Sequence, residues 1–301
     1  MLNTYVVEGG IGKQVAFTSI IPKLKERDKE SIQIWSPYVD CYGYNPNVKM
    51  VYDMGSIEIS DSRIVASDNI IYFEPYKSNF VKGQEHIVES FCNLTGIEYN
   101  YKMRPRLYTE HLKESVDEWL KEKEINKYIL VQFTGGQTPL QYAPGKEYVS
   151  NNLGKNYPLY FANYIVAKLI EKYQVTIIDC SLPNEPYIPG TVKCDLHWAQ
   201  IHEMMKDAEG WVGIDSCVNH FSASTGVSGV AIWGNTRWNQ FGYMHNKNLT
   251  FHQKKEFNDY FITDIQDPRN ILVDPDLILQ TFDKHVWLSA PEEVTCAHST
   301  N

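Results

Sequence analysis

Two glycine-rich turns stand where the chain could hold a phosphate. The first is Glu8-Gly9-Gly10-Ile11-Gly12-Lys13 and the second is Thr134-Gly135-Gly136-Gln137. Each follows an apolar run and precedes a helical pattern. A turn of this kind aims backbone N–H groups and the positive end of a helix dipole at one point, which suits an anion. The same glycines are also compatible with a tight strand-to-helix turn that binds nothing. A third stretch, Asp215-Ser216-Cys217-Val218-Asn219-His220, links an apolar strand to a helix of small residues. Asp215 there is placed to cap the helix or to meet a ligand, and His220 to line a site or to sit hydrogen-bonded in the core.

Two familiar phosphate motifs are excluded by position. Counting from Gly10, a dinucleotide fingerprint needs glycine at 15, where Val15 stands, and the second strand ends in Ser36-Pro37 without an acidic residue. A P-loop needs Ser or Thr after Gly12-Lys13 and a glycine at 7, but Gln14 and Val7 occupy these places. His197, His202 and Glu203 share one helical pattern without the HExxH spacing, and are expected on its surface. No metal site is expected.

The elements that position these turns read as α/β. Leu2–Val7 is a buried strand, residues 13–27 carry a helical stripe, and Ser31–Trp35 is the next strand, a βαβ opening that implies a parallel sheet. Strands are expected at 49–52 and 70–73, a helix at 85–94, and a helix from a Thr109 cap to about 124. A second series follows: strands at 128–133, 175–180, 211–214 and 230–233, and helices at 160–173, 197–209, 218–225 and 274–282. Two such series predict two Rossmann-like domains facing a cleft, residues 1–125 and 126–301, with the last helix (about 274–290) packing back on the first domain. The aromatic group Trp233, Trp238, Phe241 and Tyr243 suits either stacking on a ligand or packing between domains.

Composition narrows the class. The 301 residues are 43% hydrophobic, with a net charge of −9. Residues 1–125 hold 15 basic and 19 acidic side chains and the remainder 13 and 18, so no basic half exists to grip nucleic acid. The six cysteines include no CxxC pair and are expected as free thiols. No signal pattern and no membrane-length apolar run occur, so a cytoplasmic location is expected.

The pieces together resemble the family 9 glycosyltransferases, the group of the lipopolysaccharide heptosyltransferases. Gly10-Ile11-Gly12 with Thr18, Pro22 and Asn45-Pro46-Asn47-Val48 is similar to the family's opening. Trp211–Gly226 followed by Val230–Thr236 is similar to its Asp-(Ser/Thr)-Gly-x-x-His segment and following strand. The resemblance implies the GT-B architecture and a metal-independent, inverting transfer from a nucleotide-diphosphate sugar, which is substrate rather than cofactor. The implied acceptor is a glycan or lipid-linked saccharide. By position, Asp215 would hold sugar hydroxyls, the amides of Ser216 and Cys217 the diphosphate, and His220 the turn or the donor. Gly10, Gly12, Thr134, Gly135, Gly136 and Gln137 would line the donor, and Ser181–Pro189 would frame the base. Lys13 stands where the family has its presumed aspartate base, and Cys217 where it has glycine. A lysine is ordinarily a cation, suited to a leaving group or an anionic acceptor. Glu8 and Asp40 are then the substitute bases. Two other readings stay open: transfer to hydroxymethylated bases of phage DNA, and a nucleotide-sugar-binding protein without turnover.

Overall fold

The structure is a computed structural model and describes residues 3–29, 32–56, 69–75, 79–83, 85–135, 155–251 and 271–287. Two all-parallel sheets form it. The first holds β1 (Asn3–Val6), β2 (Ile32–Ser36), β3 (Val48–Asp53) and β4 (Asn69–Tyr72) in the order β3-β2-β1-β4. The second holds β5 (Tyr128–Gln132), β6 (Thr176–Asp179), β7 (Thr191–Lys193), β8 (Gly210–Ile214), β9 (Gly229–Trp233) and β10 (Lys247–Thr250) in the order β10-β9-β8-β5-β6-β7. Around them lie helices α1 (Ile11–Phe17), α2 (Ile21–Asp28), α3 (Ile87–Thr95), α4 (Lys113–Glu122), α5 (Leu159–Tyr173), α6 (Trp198–Met205), α7 (Cys217–Thr225), α8 (Trp238–Phe241) and α9 (Pro275–Phe282). Two parallel sheets with helices are the expected fold class.

The central strands are buried end to end and alternate their side chains between two cores. Tyr128 and Leu130 of β5, Trp211 of β8, and Ala231 and Trp233 of β9 face the core that continues into the first unit. Ile129 and Val131, Val212 and Ile214, and Val230 and Ile232 face the other core, under α5 and α9. In the first unit, Phe17 of α1 meets Phe73 at 4.7 Å and Phe91 of α3 at 5.5 Å, both edge-on, a favoured aromatic geometry.

Several expectations are corrected. The single helix at 13–27 breaks after Phe17, because Pro22 in the first turn of α2 has no N–H to continue the ladder. Thr109 does not cap α4. Its hydroxyl turns to His202 and Glu203, and α4 begins from a short 3₁₀ turn, Glu110–Leu112. Strands β7 and β10 were too short or too polar to be read from sequence. Helix α4, assigned to the first domain, packs on α6 of the second unit and ties to it through Trp119 Nε1–Asp195 (2.7 Å) and Gln200 Nε2–Ser115 (3.1 Å). Helix α9 packs on α5 and β9, with Ile278 and Phe282 inside the second core. Residues 288–290 of the last expected helix lie outside the described residues.

In each sheet the chain winds outward in both directions from its first strand. The reversal lies between β1 and β4 in the first sheet and between β5 and β8 in the second. At such points the loops part beyond the carboxyl ends of the strands and leave a crevice. The β5–β8 approach is very close: a Cβ on Gly213 would stand 2.7 Å from the carbonyl oxygen of Gln132. Backbone cannot yield there, so Gly213→Ala should lower stability by about 1–3 kcal/mol, read as a lower urea midpoint at unchanged slope.

Candidate functional site

The first crevice is built from the exits of β1 and β4. Val6 pairs with Tyr72, so Glu8 and Glu74 leave neighbouring strands at the same level. Gly9 turns the chain with φ +96°, and a side chain on it would crowd Lys13 Cδ at 3.2 Å. Glycine is required there on both counts. Gln14 fixes the loop from below. Its Nε2 donates to the Val7 carbonyl (2.8 Å), and its Oε1 accepts from Ser36 (2.9 Å) and Tyr42 (2.6 Å). Lys13 is thereby folded inward. Its side chain is only 7% exposed and its Nζ lies 3.4 Å from Glu74 Oε2, whose side chain is 32% exposed. Burial pulls the ammonium below the usual lysine range, while Glu74 and then Glu8 oppose that shift.

The second crevice is built from the exits of β5 and β8. Thr134 donates to Glu185 Oε2 (2.8 Å), and the Gly135 N–H donates to Asn156 Oδ1 (3.1 Å). Glu185 also accepts from Leu182 N–H (2.9 Å), which fixes the start of the 181–189 loop. Asp179, fully buried at the end of β6, accepts from Ser181 and is paired with Lys193 at 3.0 Å. Asp215 directly follows β8, with Lys155 Nζ 3.5 Å from its carboxylate. Ser216 is the N-cap of α7 but makes no capping bond, and its Oγ is buried without a hydrogen-bond partner. Gln132 Oε1, at the end of β5, is likewise buried without one. An uncapped helix start, a lysine and unsatisfied polar atoms at one switch point are what an anionic, polyhydroxylated ligand would complete. Burial raises the Cys217 thiol to about 12, against the opposing charge of Lys155.

The two crevices are joined at one contact. Helix α1 packs on α7, and a Cβ on Gly12 would stand 2.9 Å from the imidazole of His220. His220 Nδ1 is 2.8 Å from Tyr243 Oη. Burial lowers its pKa to about 4, with Asp215 opposing, so the ring is neutral near pH 7. His86 caps α3 by accepting the Val88 N–H on Nδ1; its Nε2 therefore carries the proton and donates to the Gly242 carbonyl at 3.1 Å. Burial lowers this pKa to about 4 as well.

The expected site residues thus divide. Glu8, Gly10, Gly12 and Lys13 lie in the first crevice; Thr134, Gly135, Asp215, Ser216 and Cys217 lie in the second; His220 lies between them. Gly136 and Gln137 lie outside the described residues. Asp40 is exposed in the turn Val39–Cys41, 3.9 Å from His197. Glu74, Lys155 and Gln132 were missed. Only Glu74 carried a signal, as the acid two residues past a strand, matching Glu8. His202 and Glu203 are buried rather than on the helix surface. Trp233, Phe241 and Tyr243 are buried and Phe80 meets Phe241 edge-on at 5.2 Å, so this aromatic group packs between the units, with Trp238 exposed. Among the described residues, no cluster of three His, Cys, Asp or Glu side chains could hold a metal, and no helix is long and apolar enough to cross a membrane.

No protein-family model and no curated protein matches the sequence. Solved structures do match its shape. The glycosyl transferase family 9 protein from Veillonella parvula DSM 2008 superposes with a TM-score of 0.72 at 12% identity, over 96% of this chain and 98% of that one. The E. coli heptosyltransferase WaaC with ADP gives 0.61 at 8% identity, over 96% and 100%. The E. coli ADP-heptose lipopolysaccharide heptosyltransferase II gives 0.59 at 12% identity, over 94% and 100%. The fold of the chain is GT-B.

The buried imidazoles set a pH dependence. A histidine held near pKa 4 when folded and near 6.5 when unfolded takes up its proton preferentially in the unfolded state. Stability is therefore complete above about pH 6.5 and is lost as pH falls toward 4. For His220 the loss should reach about 3 kcal/mol at pH 4. Urea melts across that window should show a shallower pH dependence in His220→Gln; an equal slope would place the titration elsewhere.

Proposed function

We propose that the protein transfers a sugar from a nucleotide-diphosphate donor to an acceptor hydroxyl. The observation that carries this reading is the pair of switch-point crevices joined at Gly12 and His220, on a fold shared with heptosyltransferases. The donor sits in the β5–β8 crevice. Its diphosphate meets the start of α7 at Ser216 and Cys217, with Lys155 as a flanking donor and the Thr134–Gly135 turn, held by Glu185 and Asn156, as the opposite wall. Asp215 accepts from the sugar hydroxyls. The 181–189 loop frames the base. The acceptor sits in the β1–β4 crevice, above Glu8, Lys13 and Glu74.

The chemistry is displacement at the anomeric carbon, and what the protein supplies is charge stabilisation and orientation. A helix terminus and a lysine stabilise the leaving diphosphate by fixed dipoles and charge, so the transfer is proposed as metal-independent. Opposed crevices bring the hydroxyl in from the face away from the leaving group, which inverts the anomeric centre. A glycan or lipid-linked saccharide fits as acceptor, and ADP-heptose is one donor to try, since a structural relative was solved as the ADP-heptose heptosyltransferase II.

A thermal-shift screen with nucleoside diphosphates and nucleotide sugars, ADP-heptose included, should find at least one that stabilises the protein. For that compound, Asp215→Ala should weaken binding by calorimetry at least tenfold while circular dichroism stays unchanged. Equal affinity in the variant would remove Asp215 from the donor site.

A further inference from the structure

The acceptor crevice contains a cation where displacement chemistry calls for a base. An attacking hydroxyl must lose its proton, and an ammonium has no free lone pair to accept it. Among the described residues, two carboxylates act on Lys13: Glu74, in contact at 3.4 Å, and Glu8, through its charge. Exposure decides which partner of the Lys13–Glu74 pair can meet a substrate. The lysine side chain is 7% exposed, pressed beneath the Gly9 turn, whereas that of Glu74 is 32% exposed. A substrate arriving from the cleft reaches the carboxylate first.

We infer that Glu74 is the base of the transfer and that Lys13 is the tether that orients it. The proposal rests on the glycosyl-transfer reading. In the step, the acceptor oxygen forms a bond to the anomeric carbon as its proton passes to Glu74. The bond from that carbon to the diphosphate oxygen breaks, and its electron pair leaves with the diphosphate. Lys13 keeps its proton throughout. It fixes the direction of the carboxylate, since Glu74 follows edge strand β4 and lacks the burial that positions Gln14.

This arrangement reverses the expected roles. Lys13 is a positioning residue, Glu74 the catalytic one, and Glu8 a source of negative field. Asp40, exposed in the 39–41 turn and 3.9 Å from His197, is left out of the step.

The test uses the full-length protein with a nucleotide sugar from the screen above on which the wild type turns over, measured by nucleoside diphosphate release. Glu74→Gln should lower kcat on the order of 10²- to 10⁴-fold, with the calorimetric affinity for the donor within about twofold. Glu8→Gln should lose less than about tenfold by the same comparison. Sodium formate should restore part of the activity of Glu74→Ala, and none to Glu74→Gln, whose amide still fills the space. Near-normal turnover in Glu74→Gln, or a far larger loss in Glu8→Gln, overturns the assignment while leaving the transferase reading intact. A wild type that turns over no nucleotide sugar overturns both.

Discussion

The contact between Gly12 and His220 sets the geometry of the whole molecule. Helix α1 begins at the first crevice and α7 at the second, and these two helices touch where one presents a glycine and the other an imidazole. With no room for even a methyl group, the spacing between the two helix starts is fixed by hard contact rather than by a flexible side chain. Everything with chemical potential is referred to that point. Lys13 follows Gly12 directly, Asp215 lies five residues ahead of His220, and Tyr243 braces the ring from behind.

A second interaction holds the same seam by ordered protons. The Leu107 N–H donates to Ser224 Oγ, which lies 3.0 Å from His202 Nε2; His202 Nδ1 lies 2.8 Å from Thr109 Oγ1, and Thr109 donates to Glu203 at 2.6 Å. Thr109 has a single proton, and it goes to Glu203. The Nδ1 of His202 must then donate and its Nε2 must accept from Ser224, so only one proton arrangement satisfies every member. Burial brings the His202 pKa down to about 3, which keeps the ring in the neutral form this chain requires. Lys206, 2.6 Å from Glu203, supplies the countercharge. A buried network fully satisfied in one way specifies a geometry rather than merely stabilising it.

Residue pattern made much of this legible. The glycine turn at 9–12 and the strand–Asp215–helix passage stood out because local order of residue types is what strands, turns and helix starts depend on. The alternating faces of β5, β8 and β9 were hidden, since strands buried on both sides read as unbroken apolar runs. Lys155 and Gln132 gave no signal because their roles arise from neighbours across the β5–β8 crevice, not from their own segments. His202 and Glu203 were misjudged for a related reason: a polar pair on a helix reads as solvent-facing until Thr109, some ninety residues earlier, arrives to satisfy it. The break between α1 and α2 is legible in Pro22, whose missing N–H outweighs the continuous apolar stripe.

The seam also ties early chain to late chain. His86 bonds the Gly242 carbonyl across 156 residues, and Gln240 bonds the Phe80 carbonyl across 160. During synthesis the first unit therefore emerges long before the surface it must cover exists. At ordinary elongation speeds the wait is on the order of ten seconds. Through that interval Phe80 and the bare face of α1 at Gly12 stand open to water and to other nascent chains. Loop closures of this span are slow steps for any polypeptide, so the seam between the two units closes only after residues 240–242 have been made.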